Sequence, residues 1–450
     1  MKRRTRMIVT ASVLAVALIA AGAFGVSQFS ESDSDEIETA ADAEVIAPQV
    51  VAGAAGPPAA TLDGLVEQLL VRVEAVPGDH VAWATLGIAY VQQARVVADP
   101  SLFPRAQAAL EESLAVEPDD NFLAYAGRSV LAAGRHRFAD AKTEAERGLE
   151  INSFNPILWG ALSDAQLQLG EYDEAAASVD RMIELSPDTS SFSRASYIAE
   201  LNGDVNEATT LMQQALDDAG SPTDRAFALT ILGDLKFNAG EPGEALTLYN
   251  QARDAAPDDA AALYGKARAE AALGQNETAL DHYAELVEAS PEPSYLVAYG
   301  ELLESLGRTE EAEQQYAVVD AVLALFEENG VENDAAPVLF LADHDEPERA
   351  LREAERAIAV RPFIAMHDAH AWALYASGRY DDALEASEQA LRLGTPNAQF
   401  HFHAGMIKLA LGNEDGARVD LERALEINPF FDPLDVPIAQ SALAELGPAT

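Results

Sequence analysis

Four histidines near the C-terminus have the side chains best suited to chemistry: His367, His370, His401 and His403. His367 and His370 are three apart and share one face of a helix. With His401 from the next segment they would bring three imidazoles near one point, the kind of donor set zinc or nickel takes. His401 and His403 are two apart and cannot share a helical face. His367 and His401 also stand where comparable segments carry Trp83 and Trp159, so packing with a polar tip is the plainer reading. The acid pairs Asp119-Asp120, Asp217-Asp218, Asp258-Asp259 and Asp381-Asp382 would suit acid–base work. They fall instead at turns, where aspartate caps the following helix. The sequence holds no Gly-rich phosphate loop, no His-Glu-x-x-His and no Gly-x-Ser-x-Gly. With no cysteine there is no disulfide, thiolate metal site or cysteine nucleophile. No catalytic, cofactor-binding or metal residue is therefore assigned, and an enzyme is not expected.

These histidines sit within a repeat. An alanine that opens a second helix after a Gly-x-Tyr-like turn recurs at Ala106, Ala141, Ala175, Ala208, Ala245, Ala279, Ala312, Ala350, Ala383 and Ala417. Successive gaps are 35, 34, 33, 37, 34, 33, 38, 33 and 34 residues. Near-constant self-similarity of this length signals stacked supersecondary units. The clearest unit runs from Pro156 to Pro187. Trp159 and Leu162 lie on one face of a first helix, which Leu169-Gly170 ends, because glycine reaches the left-handed conformation needed there. Tyr172 leads into a second helix. Ala175 lets the two backbones approach, Val179 and Met182 continue the apolar face, and Pro187 stops the pair. The same pattern returns as Trp83-Leu86-Gly87-Tyr90, Leu232-Gly233 with Ala245 and Tyr249, Leu273-Gly274 with Tyr283, Leu306-Gly307 with Tyr316, and Leu411-Gly412 with Leu421.

This pattern resembles the tetratricopeptide repeat family. The resemblance implies an all-α fold, a right-handed superhelical α-solenoid of about ten helix pairs; the apolar stretch Met7 to Val26 adds one N-terminal apolar helix before it. Residues 194–208, 328–351, 368–395 and 400–412 further resemble a group of bacterial tetratricopeptide repeat proteins, a likeness that brings no reaction, cofactor or catalytic residue. The opening part, with Pro77-Gly78-Asp79 and Trp83, is also similar to repeats of cytochrome c maturation proteins. Helix 62–76 reads as a leading half-unit and 433–446 as a closing helix, since an uncapped solenoid end exposes its apolar stacking surface. Three segments depart from the period. Residues 91–105 carry about seven extra residues, the second helix after Tyr316 runs on to Gly330, and the next unit has Asp345 where a Gly turn is usual. Insertions in repeats usually emerge as loops on one face, often the binding face, so a specialised function would be sought there first, with neutral drift as the alternative.

Stacked pairs curve so that first helices line an inner wall. Aligned on the repeat, that wall carries Tyr197, Phe227, Phe237, Tyr264, Arg268, Trp372, Tyr375 and Phe402 as partner-binding candidates, with Asp164, Glu200, Asp234, Glu301, Glu304 and Asp368 beside them. Aromatics give large contact area at low entropy cost, which suits capture of a protein or peptide. The charge balance points to the kind of partner: 75 acidic against 29 basic residues, a net of −46. Such a field repels phosphate backbones and argues against nucleic acid. It favours a basic or amphipathic partner. With five lysines in the chain, the surface also reads as salt-tolerant.

The N-terminus supplies a destination. Lys2, Arg3, Arg4 and Arg6 precede an uncharged, mostly apolar stretch from Met7 to Val26. Basic residues stay cytoplasmic, so the chain runs outward after them. Twenty residues of helix span about 30 Å, enough for a retained anchor. Ala21-Gly22-Ala23 offers a signal cleavage site as the alternative. Residues 1–27 are thus read as anchor or signal peptide, 28–60 as an acidic and Ala/Pro-rich linker, 61–429 as the solenoid, and 430–450 as its cap and tail. The acidic run Ser30 to Glu36 reads as solvated linker rather than as a calcium site. The expected protein is a non-catalytic interaction scaffold on the extracytoplasmic face of the membrane, or secreted after cleavage. An assembly factor for exported proteins is the alternative, and a metal protein using His367, His370 and His401 is a further one.

Overall fold

The computed structural model describes residues 59–447 except 98, 333 and 345. The N-terminal anchor or signal and most of the linker lie outside the described residues. Among the described residues there are 22 α-helices and no strand. No helix among them is long and apolar enough to cross a membrane.

Helix α1 (Ala59–Ala75) leads into ten antiparallel pairs. The first five are α2 (His80–Val97) with α3 (Phe103–Val116), α4 (Phe122–Gly134) with α5 (Phe138–Ile151), α6 (Pro156–Gln168) with α7 (Tyr172–Leu185), α8 (Thr189–Leu201) with α9 (Val205–Asp218), and α10 (Pro222–Asn238) with α11 (Pro242–Ala255). The second five are α12 (Ala260–Ala272) with α13 (Asn276–Ala289), α14 (Pro293–Ser305) with α15 (Thr309–Glu328), α16 (Ala335–Asp343) with α17 (Pro347–Ile358), α18 (Ile364–Ala376) with α19 (Tyr380–Ala390), and α20 (Ala398–Ala410) with α21 (Glu414–Ile427). Helix α22 (Asp435–Leu446) closes the stack.

The repeated residues explain the pairing. All ten marker alanines are 0–1% exposed, so any larger side chain would force the paired helices apart. First-helix glycines face bulky second-helix residues: a Cβ on Gly265 would stand 2.3 Å from Tyr249, and one on Gly300 would stand 2.2 Å from Tyr316. In three consecutive pairs a buried serine donates to the carbonyl of the marker alanine twelve residues later: Ser129 to Ala141 at 2.8 Å, Ser163 to Ala175 at 3.0 Å and Ser196 to Ala208 at 2.7 Å. First helices begin on side-chain caps. Asn155 accepts from the Leu158 amide and Ser221 from the Asp224 amide, while Asp188 forms a reciprocal capping box with Ser191. Of the four acid pairs, Asp259 caps α12, Asp218 accepts from the Thr189 amide, and Asp382 pairs with Arg379.

The solenoid coils tightly enough to touch itself. The turns between paired helices of the first superhelical turn rest on the loops between pairs of the second. Contacting residues are 191–196 apart in sequence. His136 meets the Glu332 carbonyl through Nδ1 at 2.7 Å. The Tyr172 hydroxyl accepts from the Ile364 amide at 2.9 Å, and Arg361 donates to Gln168. Thr395 donates to the Leu201 carbonyl, and Asn428 donates to the Phe237 carbonyl at 3.0 Å. Arg361 also forms a 2.6 Å ion pair with Asp334 and lies over the Phe138 ring at 5.0 Å. Gly170 holds φ +73°, and a Cβ there would stand 2.9 Å from the Pro362 carbonyl oxygen. Its counterpart His136 adopts φ 58° without being glycine, held by its bond across the seam.

Two of the irregular segments are part of this closure rather than surface loops. Helix α2 extends to Val97, and a short 3-10 turn, Pro100–Leu102, follows it. Helix α15 runs for 20 residues. Val91, Leu102 and Phe103 from the first segment share one hydrophobic cluster with Val319, Val322 and Phe326 from the second. The extra residues supply apolar surface that joins the two superhelical turns, which is why one face of each segment is buried.

Candidate functional site

The eight aromatic and basic candidates of the inner wall divide by burial. Phe402 is fully buried against Trp372 and Phe431. Phe237 is 2% exposed and lies beneath the Arg268 guanidinium at 4.2 Å. Trp372 is 8% exposed and packs face to face with Tyr375 at 4.6 Å and with His403 at 4.2 Å. These three hold the interior. Tyr197, Phe227, Tyr264, Arg268 and Tyr375 are half-buried along the wall. Tyr197 and Phe227 line a cavity of about 20 Å³ together with Arg194 and Glu200, room for about one water. Tyr264 meets Tyr295 at 4.8 Å with the two rings tilted, and lies beside Arg268, so α12 and α14 share one aromatic layer.

The second superhelical turn encloses a distinct basin. Glu301 and Glu304 reach it from α14, Asp343 from the end of α16, and Asp432 and Asp435 from the connection into α22. Asp343 and Glu304 are solvent-exposed, so the acidic cluster opens to water. Burial, reinforced by the other four carboxylates, pushes Glu301 well above the usual carboxylate range. Burial and the neighbouring Asp432 push Asp435 up to about 8. His403 and Arg268 are the basic side chains whose charges oppose Asp432. Aromatic rings flank the acids: Tyr316 donates to Glu304 at 3.1 Å and meets His344 edge-on at 4.2 Å, and Trp372 Nε1 donates to Asp343 at 2.6 Å. Chemically the basin can hold cationic groups against aromatic faces. Repeat alignment found Glu301, Glu304, Trp372 and Tyr375. It missed Asp432 and Asp435, which follow the last repeat, and Asp343, whose unit lacks the usual turn.

The histidines do not converge. His401 Nδ1 contacts Asp420 at 3.1 Å. His403 is 1% exposed and pairs with the equally buried Asp368 at 2.9 Å. Burial, with Arg392 and His370 adding to it, lowers His367 to about 4. Among the described residues no group of three or more His, Asp or Glu side chains is arranged to hold a metal ion. The metal reading of His367, His370 and His401 therefore finds no geometry, because His401 is turned onto its own pair.

The sequence profile of the tetratricopeptide repeat matches residues 127–189, 232–292, 271–322 and 369–430. With ten stacked pairs built on the same residues, this decides the family. The chain is a tetratricopeptide repeat protein. Solved structures to which the chain is similar include the APC/C hetero-tetramer Cut9–Hcn1, at 15% identity over 81% of this chain and 76% of that one, TM-score 0.42. A tetratricopeptide repeat protein from Parabacteroides merdae is 20% identical over 57% of this chain and 98% of that one, TM-score 0.33. Human IFIT1, solved as a dimer with m7Gppp-AAAA, is 13% identical over 81% and 94%, TM-score 0.42. No curated protein sequence matches the chain significantly. The repeats make it a protein–protein interaction scaffold.

Proposed function

We propose that this tetratricopeptide repeat protein holds a basic, amphipathic segment of a partner protein in the basin of its second superhelical turn, and does so outside the cytoplasm. One observation carries the first part. Five carboxylates from α14, α16 and the entry to α22 converge beside aromatic rings. Carboxylates crowded this way gain from an incoming cation, which relieves their mutual repulsion. Aromatic faces add contact with the cation and with the apolar side of the segment. The outward location rests on the basic residues 2–6 and the apolar stretch 7–26.

The test is a fluorescence-anisotropy titration of the full chain with a labelled amphipathic peptide rich in Arg and Leu, beside the same peptide with Glu for Arg. The basic peptide is expected to bind and the acidic one to fail. The double substitution Glu301→Gln with Asp343→Asn should weaken binding about tenfold or more, the scale of one lost charged contact. Equal affinity for both peptides, or no effect of the double substitution, overturns the reading. Reporter fusions after residue 60, active on the outer side of the membrane or inactive there, decide the location.

A further inference from the structure

The seam that closes the coil uses two edges of the solenoid, and both continue beyond it. On one edge lie the turns within pairs; on the other lie the loops between pairs. In the seam, turn glycines rest against loops of the next superhelical turn: a Cβ on Gly170 or Gly203 would stand 2.9 Å from a loop carbonyl. Gly274, Gly307, Gly378 and Gly412 belong to the same series of turns and share its backbone, with φ +73° to +75°. A Cβ on any of these four would meet nothing within 4 Å. On the loop edge of the first superhelical turn, Pro118, Phe154, Pro187 and Gly220 are likewise exposed.

Both uncovered edges carry apolar side chains in water. Phe154, on the loop before α6, is 71% exposed. Leu273 and Leu306, at the turns after α12 and α14, are 42% and 38% exposed. The loop edge also holds an open pocket of about 580 Å³ between the loop before α10 and the end of α11. A protruding turn is the shape that such a recess accepts.

We infer that the uncovered turn edge of one copy docks on the uncovered loop edge of a second copy, continuing between molecules the seam that each molecule makes within itself. Continuity with that internal interface identifies the occupant. The contact is heterologous, each copy keeping one edge free, so it builds head-to-tail stacks rather than a closed dimer. The net charge of −46 opposes it at low ionic strength. Salt relieves the opposition, since the screening length falls from about 10 Å at 0.1 M to about 3 Å at 1 M.

Sedimentation velocity of the full chain, in 0.1 M and 2 M NaCl over a hundredfold concentration range, tests this. Association that grows with concentration and salt is expected. Phe154→Asp and Leu306→Asp place a charge on the loop edge and the turn edge respectively. Each alone should remain monomeric, with an unchanged melting temperature confirming its fold. Mixed together they should form dimers and nothing larger, because each retains the edge the other lacks. A wild-type chain monomeric in every condition overturns the inference. So does association that either single variant retains, or a mixture that stays monomeric while the wild type associates.

Discussion

Asn428 donates its side-chain amide to the carbonyl oxygen of Phe237 at 3.0 Å, joining two superhelical turns across 191 residues of chain. Its own Oδ1 accepts from the Phe430 amide at 2.9 Å, which shapes the loop that makes the contact. Asn428 is 3% exposed, so no water replaces it readily. Asn428→Ala leaves the Phe237 carbonyl without that donor and should cost about 1–3 kcal/mol. Urea denaturation measures this. Hydrogen exchange should speed up at the Phe237–Glu241 turn, although that turn lies in the other superhelical turn. An exchange profile changed only near residue 428 would show that the seam does not couple the turns.

Arg361 is the most connected residue of the seam. It pairs with Asp334, donates to Gln168 and covers Phe138. Both members of the pair are nearly buried, at 5% and 9% side-chain exposure, and Asp334 Oδ2 has no partner. Arg361→Met strands the aspartate and should destabilise the fold by about 3–5 kcal/mol. Adding Asp334→Asn removes the stranded charge and should return part of that loss. A double-mutant cycle in urea checks it, and purely additive losses would show that the two residues act independently.

Much of this fold is legible in the sequence because one signal repeats. The marker alanines locate every pair and turn glycines mark seven of them, since each position is constrained by close backbone approach or by φ. The seam is not legible in that way. It depends on the superhelical pitch, which sums small rotations over five pairs and is encoded in no single residue. Arg361, Thr395 and Asn428 therefore look like ordinary loop residues until the coil is closed. The inner wall was half legible for a related reason. Spacing places Phe237 and Phe402 on the first helices, but their burial depends on Arg268 above one and Phe431 beside the other. Neither neighbour follows from the repeat.

His403 and Asp368 form a fully enclosed pair on adjacent first helices, with Trp372 stacked on the imidazole. Burial works to lower the histidine, but the Asp368 charge and hydrogen bond outweigh it, so His403 lies above its ordinary 6.5. The folded state therefore keeps a proton that the unfolded chain releases. The stabilisation is fully present below pH 6.5 and is lost as pH rises through the folded value. His403→Gln should flatten that part of the curve of stability against pH and lower stability most at acid pH. Urea midpoints from pH 5 to 9 on both proteins measure it. A wild-type-minus-variant difference constant across that range would mean that the pair does not titrate.

Glu292 shows the opposite balance. It is 1% exposed at the start of α14, its Oε2 has no partner, and nearby Tyr295 has a hydroxyl in the same condition. Burial pushes its carboxyl well above the usual range, and the opposing charge of Arg95 does not restore it. Above the ordinary carboxylate value, the native chain then keeps a proton that the unfolded chain has released. Each pH unit above that ordinary value removes up to about 1.4 kcal/mol of stability, until the folded value is reached. Glutamine keeps the shape and cannot ionise. Glu292→Gln should therefore match the wild type near pH 4.5, become progressively more stable than it above that, and preserve the packing of α14. Urea denaturation of both proteins at pH 5, 7 and 9 gives the difference directly. A variant less stable than the wild type at pH 9 would mean that the carboxylate is ionised in the fold and held by Arg95.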